Sequence, residues 1–214
     1  IGTMVSRTLN EEERIHALHS VDTLNTLSQK LEALSIPPTT DLEEVCIAEI
    51  IQSLKQYYDQ LQPLSIKWNL ELDYDAVIYG DSFKIEQLFK ELLDNAIESM
   101  DDSGHISIQL YRNQFTNQVH QDVDGVEIII RDNGPGIHAN DLSNIFDPFF
   151  TTKDHHFGLG LTLVQQIITH YFGAIKIRSP FGKGTRIKLQ LSKTSLSIRN
   201  DVLSPKDVLN QMPV

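Results

Sequence analysis

Glu91 and Asn95 of this 214-residue chain have residue types and a spacing that could do chemistry. They stand four positions apart in an amphipathic segment, so both side chains project from the same side of one helix. A carboxylate and an amide oxygen placed in this way can reach a hard cation, a water molecule or both. A solvated helix surface carries the same residue types, so a functional pair and an ordinary surface pair both stay open.

A second segment, RDNGPGI, follows the apolar strand VEIII. Asp132 closes this strand, and Gly134 and Gly136 flank the proline that comes next. Such a sequence is typical of a turn. It would also suit a binding site, because a buried carboxylate can accept a hydrogen bond from an amine while glycines let the backbone approach a flat ligand. Turn and site are both compatible with the segment taken alone.

A third segment places Gly158 and Gly160 directly before a helix that is expected to start near Leu161. The first turn of a helix offers unpaired N–H groups and a partial positive charge, which together attract anions. The glycines would let phosphate oxygens touch the backbone. The Walker pattern of Gly-Lys-Ser/Thr is missing, so this segment predicts an anion site without specifying the anion.

The elements that position these residues follow from the periodicity of the apolar residues. Residues 5–36 predict one long helix whose stripe is Ile15, Leu18, Val21, Leu24, Leu27, Leu31 and Leu34. We expect this stripe to pair with a second copy of the chain; packing back on the same chain is the alternative. Two prolines then break the helix.

The remainder mixes helical and strand periods. Helices are predicted at 41–61, capped by Asp41, at 81–100 and at 159–173, and strands at 65–73, 105–112, 125–132, 174–179 and 184–191, with a polar loop at 113–124. This order predicts an α+β fold, a two-layer sandwich with a mixed sheet covered by helices on one face. The expected domain covers residues 41–192, and residues 193–214 read as a tail or linker.

Composition narrows the class of protein. A formal charge of −11 argues against sequence-independent binding to nucleic acid, which needs clustered lysine and arginine. The single cysteine, Cys46, cannot form an internal disulfide and predicts a reducing compartment. No apolar run approaches the ~20 residues that span a bilayer, so we expect a cytoplasmic chain without direct membrane contact, although a longer parent protein could be anchored. Residues 1–4 are expected to be a cloning remnant, because Met4 is the first methionine.

In their order and spacing, the segments resemble the Bergerat-fold ATP-binding domain shared by sensor histidine kinases, DNA gyrase, heat-shock chaperones and mismatch-repair ATPases. The resemblance covers roughly residues 42–191. It is carried by ELLDNAIESM, similar to the N box, by DNGPGI and GLGL, similar to the two glycine boxes, by FDPFFTTK, similar to the F box, and by the closing hairpin GKGTRIKLQL. Phe146, Pro148, Phe149 and Phe150 with the short lid most resemble histidine kinases of the nitrogen-regulator type.

The resemblance implies ATP and Mg²⁺ as cofactors and assigns the adenine end of the site first. Asp132 would recognise the adenine amino group, with Thr185 in the same pocket. Gly134 and Gly136 would shape the pocket and hinge the lid, and Ile137 would form an apolar wall.

At the phosphate end, the resemblance implies that Asn95 holds Mg²⁺ through its side-chain oxygen. Gly158, Leu159 and Gly160 would lie at the phosphates, the glycines contacting them through the backbone. Lys153 would neutralise phosphate charge, or else be merely solvated. Glu91 would be the catalytic base, acting either on an acceptor histidine or on water.

Histidines occupy two places where the resemblance departs from the family pattern. His155 and His156 stand in the lid where a glycine-rich pair is expected; a metal site there lacks further ligands at suitable spacing, so solvated or phosphate-adjacent lid residues are the prediction. His16 and His19 on the first helix lack the acidic residue and proline that normally follow a phosphoacceptor. That helix better resembles the second helix of a dimerisation hairpin, and we expect the acceptor helix to lie outside this sequence.

The resemblance therefore predicts the ATP-binding core of a two-component sensor histidine kinase. Such a core passes the γ-phosphoryl group to a histidine for relay to a response regulator, and works as a homodimer through the N-terminal helix. Two alternatives stay open: an ATPase in which Glu91 activates water, and a non-catalytic scaffold that binds nucleotide or regulator.

Overall fold

The structure is a computed structural model that describes residues 18, 21, 24–32, 34, 42–61, 65–100, 103–117, 122–153 and 156–193. The chain divides into two compact units, Ile1–Ile36 and Pro37–Val214. Every described residue of the first unit is helical, as predicted for this segment. Leu18, Val21, Leu24 and Leu31 of its stripe are exposed, and pairing with a second chain stays a prediction. The tail predicted at 193–214 lies outside the described residues except for Lys193.

The described part of the second unit contains seven strands and three helices. The strands are β1 Glu43–Cys46, β2 Ser65–Leu72, β3 Val77–Gly80, β4 Ser103–Thr116, β5 Asp122–Asp132, β6 Ala174–Arg178 and β7 Arg186–Ser192, and the helices are α1 Ile47–Gln60, α2 Ser82–Glu98 and α3 Gly160–His170. Five strands form one sheet in the order β2-β4-β5-β7-β6, while β1 pairs with β3. The β2–β4 pair is parallel and the other pairs of the large sheet are antiparallel. The sheet is therefore mixed, as predicted.

A single apolar layer joins the helices to one face of this sheet. Successive side chains of a strand point to opposite faces, and the inward set of the central strands is buried: Ile106, Ile108, Leu110, Val126, Ile128, Ile130, Ile187, Leu189 and Leu191. The helices bury one stripe each, which includes Ile51, Leu54, Leu88, Leu92, Leu93, Val164, Ile167 and Ile168. The predicted two-layer α+β sandwich with helices on one face is confirmed. Among the described helices, none combines the length and the apolar character that crossing a bilayer requires.

The helix predicted over residues 41–61 is wrong in its first part. Residues Glu43–Cys46 form β1, which pairs antiparallel with β3, and the helix begins only at Ile47. The pairing places the side chains of Val45 and Ile78 in the core. This gain from tertiary burial outweighs the local helical preference of the segment. Asp41, the predicted cap, lies outside the described residues, and the partner strand β3 was not predicted from the sequence.

The polar loop predicted at 113–124 is also wrong, because β4 and β5 continue through most of it as a long hairpin. The polar side chains there bond across the ladder. Gln114 Nε2 donates to Asp124 Oδ1 at 2.6 Å, and Thr116 Oγ1 donates to Asp122 Oδ1 at 2.7 Å. Cross-strand pairs of this kind stabilise a sheet without apolar residues, so a polar composition did not indicate a loop.

Tyr171, at the end of α3, fixes the start of α2. Its ring is fully buried, and its Oη accepts the N–H of Asp81 at 3.0 Å. Asp81 in turn caps α2, because its Oδ1 accepts the N–H of Lys84 at 3.2 Å. Only a glycine fits at position 80, where a Cβ would lie 1.8 Å from the Tyr171 oxygen. The helices that carry Glu91 and Gly160 are thereby held together at one end.

Replacing Tyr171 by phenylalanine is expected to lower the free energy of unfolding by about 1–2 kcal/mol, because the Asp81 N–H loses its acceptor while the ring still fills its place. Urea denaturation followed by circular dichroism measures the change. Tyr57→Phe is the matched control, since Tyr57 is exposed and its replacement should cost less than ~0.5 kcal/mol. Equal effects of the two substitutions would contradict this role of Tyr171.

Candidate functional site

Asp132, the last residue of β5, is half-buried and is oriented by two backbone donors. The N–H groups of Gly134 and Thr185 lie 2.9 and 3.0 Å from its Oδ1. Burial raises the pKa of the Asp132 carboxyl above its ordinary value, and the two N–H donors act in the opposite direction. Because both donors bond Oδ1, the carboxylate can direct Oδ2 toward the amine of a ligand.

Thr185 is brought to Asp132 by the ladder between β5 and β7. The Asp132 N–H donates to the Thr185 carbonyl at 3.0 Å. The Thr185 hydroxyl lies 2.9 Å from the Oγ of Ser179, and the same Oγ accepts the N–H of Ile137 at 2.9 Å. Ser179 is only 4% exposed. Two residues predicted separately, Ile137 and Thr185, therefore meet through a serine that was not predicted.

Glycines line this end of the site where backbone segments approach closely. Gly136 and Gly184 both have φ of 74°, a region that favours glycine. A Cβ on Gly136 would lie 2.6 Å from the Pro180 carbonyl oxygen, and one on Gly184 would lie 2.1 Å from the Asp132 carbonyl oxygen. The glycine requirement therefore comes from contacts between the β5 and β6–β7 segments, which close around Asp132.

Helix α2 connects this end of the site with the start of α3. Glu91, Asn95 and Ser99 follow one side of α2 at intervals of four residues, over about 12 Å of helix. At one end, a Cβ on Gly134 would lie 2.7 Å from Ser99 Oγ; at the other, a Cβ on Gly160 would lie 2.3 Å from Glu91 Oε2. The polar wall of α2 thus runs from the Asp132 segment to the first turn of α3.

The first turn of α3 is suited to an anion. The helix begins at Gly160, and its N-cap residue, Leu159, supplies no side-chain cap hydrogen bond. The first N–H groups of a helix have no intrahelical acceptor. Leu159 itself is buried, so it contributes backbone rather than side chain to this turn. The helix therefore starts where the sequence predicted an anion site, and phosphate contact at this turn stays a prediction.

The lid segment is anchored to the glycines before α3. The Phe149 N–H donates to the Gly158 carbonyl at 3.0 Å. Gly158 has φ of 64°, and a Cβ there would lie 2.5 Å from the carbonyl carbon of Phe149. Thr162 Oγ1, in the first turn of α3, donates to the Phe146 carbonyl at 3.3 Å. Phe149 and Gly158, which flank the predicted lid, therefore lie beside the first turn of α3. His155 lies outside the described residues.

Lys153 extends from the lid to the polar wall of α2. Its Nζ lies 2.8 Å from Glu98 Oε2 and 3.4 Å from Asn95 Oδ1. The Nε2 of His156 lies 3.7 Å from the same Glu98 oxygen. A cation from the lid is therefore already directed at the amide oxygen for which the sequence predicted a metal ion.

The oxygen donors of α2 suit Mg²⁺ bound together with phosphate. Asn95 offers an amide oxygen and Glu91 a carboxylate one turn earlier, and Mg²⁺ usually takes one or two protein oxygens alongside phosphates and waters. Within the described residues no group of three or more histidine, cysteine, aspartate or glutamate side chains could hold a metal by itself. Ligation of Mg²⁺ by Asn95 stays a prediction.

Sequence reasoning missed two residues of this arrangement. Glu98 follows Asn95 by three residues, and this helical spacing could have placed it on the same wall. Ser179 had no comparable signal, because its role depends on contacts that the β6–β7 hairpin makes with the segment after β5.

Residues 80–195, more than half of the chain, match the family described as histidine kinase-, DNA gyrase B-, and HSP90-like ATPase. Sporulation kinase B of Bacillus subtilis is 34% identical over 128 residues, which cover 59% of this chain and 28% of the relative. The signal transduction histidine-protein kinase AtoS of Escherichia coli is 30% identical over 185 residues, which cover 86% of this chain and 29% of the relative. The chain spans less than a third of the length of either relative.

Solved structures of histidine kinases share the fold. The catalytic domain of the histidine kinase ThkA matches with a TM-score of 0.60 at 26% identity, over 72% of this chain and 97% of that domain. The histidine kinase AdeS of Acinetobacter baumannii matches with a TM-score of 0.63 at 25% identity, over 88% of each chain. The nitrogen-regulator subgroup stays a prediction. The chain belongs to the family of histidine kinase-, DNA gyrase B- and HSP90-like ATPases, and its relatives are sensor histidine kinases.

Proposed function

We propose that this chain is the ATP-binding catalytic core of a two-component sensor histidine kinase. It binds ATP with Mg²⁺ and transfers the γ-phosphoryl group to an acceptor histidine, from which a response regulator takes it. The observation that carries the proposal is the polar wall of α2, which connects an oriented, half-buried Asp132 carboxylate with the glycine-led first turn of α3. A purine nucleotide needs these two features at its two ends.

In the proposed complex, Asp132 accepts the adenine amino group and Thr185 adjoins it. The hydrogen bonds from Gly134 and Thr185 fix the carboxylate before the ligand arrives, so little orientation entropy is lost on binding. Ile137 and the two glycines of the DNGPGI segment form the pocket wall. The phosphates then extend along α2 toward the backbone of Gly158, Leu159 and Gly160.

Phosphoryl transfer needs positioning and charge neutralisation more than covalent chemistry by the protein. Mg²⁺, held through Asn95 and the phosphates, would neutralise the negative charge that develops between the β- and γ-phosphoryl groups. Lys153 would exchange its contact with Glu98 for a phosphate oxygen, replacing one anionic partner by another. Glu91 adjoins the first turn of α3, and its carboxylate would act as the base beside the γ-phosphate.

The complete signalling role extends beyond this chain, so the partners are part of the proposal. We propose a homodimer through the N-terminal helix and a response regulator as phosphoryl recipient. The kinase names of the relatives support phosphotransfer over the two alternatives, a water-activating ATPase and a non-catalytic scaffold.

Labelled ATP provides the direct test of phosphotransfer. The chain is mixed with Mg²⁺, [γ-³²P]ATP and a phosphoacceptor hairpin taken from a curated relative, and we expect acid-labile, alkali-stable label on the hairpin. Glu91→Gln should reduce this transfer by about 100-fold or more, as expected for loss of a general base, without changing ATP affinity. Glu86→Gln, at an exposed position of the same helix, is the control. Steady phosphate release without labelled hairpin would support the ATPase instead, and ATP binding without chemistry would support the scaffold.

Asp132→Asn is expected to weaken ATP binding by roughly 10- to 100-fold, the equivalent of about 1.5–3 kcal/mol. The amide oxygen of asparagine can still accept the two backbone N–H groups, so its NH₂ group would face the adenine amine, donor against donor. Titration calorimetry with a non-hydrolysable ATP analogue measures the effect. Asp124→Asn, at the exposed opposite end of the same strand, should bind normally, and an equal affinity of both variants would refute the adenine role.

Ser179→Ala is expected to lower the free energy of unfolding by about 1 kcal/mol and to weaken ATP binding several-fold, because the Ile137 N–H and the Thr185 hydroxyl lose a shared partner. Thermal denaturation and calorimetry measure the two quantities. Ser143→Ala, an exposed loop position, controls for the loss of a hydroxyl. Unchanged ATP affinity in Ser179→Ala would show that this serine does not position the pocket.

A further inference from the structure

The face of the sheet that lies away from the helices carries three arginines side by side. Arg131 of β5 pairs in register with Arg186 of β7, and Arg186 pairs with Arg178 of β6. Neighbouring strands lie about 4.8 Å apart, so the row spans roughly 10 Å. Lys176 precedes Arg178 by two residues on the same face of β6. We call these four residues the basic face.

Alternation along the strands directs the basic face to solvent. The inward neighbours Ile130 and Ile187 are buried at 1% and 8% exposure, whereas all four cations are exposed. The charges of two of these cations, Arg131 and Arg186, also affect the pKa of Tyr111, which lies on the same face. A hydrogen bond to Glu127 raises the pKa of Tyr111 to about 12, and the charges of Arg186 and Arg131 oppose that shift.

The basic face has no carboxylate partner among the described residues. The adjacent Lys188 has one, since its Nζ lies 2.8 Å from Glu127 Oε2, but no described acidic group lies within ion-pair distance of the four cations. Like charges directly opposite each other destabilise a sheet. Protection of an exposed edge would explain cations on the edge strand β6, but Arg131 and Arg186 lie on interior strands. The row therefore opposes folding stability and needs another explanation.

We propose that the basic face docks an acidic segment of a protein partner. Arginine binds carboxylates with two parallel hydrogen bonds, and three guanidinium groups in a row match carboxylates along an extended chain. The rest of the protein is strongly acidic, since the whole carries −11. A nucleic-acid duplex or an anionic bilayer is wider than the basic face and would also meet the acidic remainder of the chain. A short peptide would not, because charges farther away than about 8 Å are screened. The acidic segment is therefore the occupant that the charge distribution favours.

Fluorescence anisotropy of a labelled glutamate-rich peptide tests the proposal on the full chain, with the glutamine version of the peptide as ligand control. We expect binding that weakens with salt and that falls by about tenfold or more in Arg131→Gln/Arg178→Gln/Arg186→Gln. The matched control, Lys90→Gln/Arg112→Gln/Lys193→Gln, removes three exposed cations that lie outside this face and should bind normally. ATP affinity is measured on both, so that damage to the Asp132 segment is recognised.

Arg131 and Arg186 adjoin site residues in sequence, so Lys176→Gln/Arg178→Gln on β6 serves as a second variant that leaves them intact; it should also weaken peptide binding. Arg186→Gln alone should keep or raise the Tm, because it relieves repulsion in the row; a lower Tm would assign the row a structural role and overturn docking. Three further outcomes would overturn the proposal. The first is an equal loss of peptide affinity in the two triple variants, and the second is tighter binding to duplex DNA or anionic vesicles than to the peptide. The third is self-association in sedimentation that depends on the arginines. ATP affinity is expected to stay unchanged in every one of these variants.

Discussion

The antiparallel pairing of β5 with β7 is the interaction on which both the candidate site at Asp132 and the basic face depend. It aligns Arg131 with Arg186 and continues into the two-way contact between Asp132 and Thr185. Because successive residues point to opposite faces, a slip of one residue would move Asp132 and Thr185 to the face that now carries Arg131 and Arg186. The buried isoleucines of both strands prevent that slip, since it would expose them. The hydrophobic core thus fixes the register, and the register places the chemistry.

Helix α2 depends on the same core in a second way. Its apolar stripe is buried against the sheet and α3, and each fully buried leucine contributes about 1.5–3 kcal/mol. That burial fixes the rotation of the helix about its axis, which directs Glu91, Asn95 and Ser99 along the opposite wall. On an isolated helix the Glu91 carboxylate and the Asn95 amide would have no fixed direction. Here their oxygen atoms are oriented, because the helix cannot rotate without exposing its apolar stripe. Tyr171 adds a second constraint by holding the start of α2 against the end of α3.

An acidic protein that handles a polyanion must place positive potential locally. Here the first turn of α3 and Lys153 supply it at the site, and Glu98 balances the lysine charge. On the other face of the sheet, the arginine row supplies it without an internal counter-ion among the described residues. The two regions differ in this respect: the site balances its own charges, while the basic face remains available to an external partner. The net charge of the chain alone indicated neither of these two positive regions.

The sequence by itself determined the fold class, the helices that carry Glu91 and Gly160, and the candidate set at Asp132. Periodicity and glycine placement are local signals, and each of these features depends on a run of consecutive residues. Only the tertiary structure decided that residues 43–46 form a strand, that the polar hairpin continues past residue 112, and that Ser179 joins Ile137 to Thr185. Those outcomes rest on contacts between segments tens of residues apart. Such pairings are selected by burial and register across the whole sheet, and no local window of sequence contains that information.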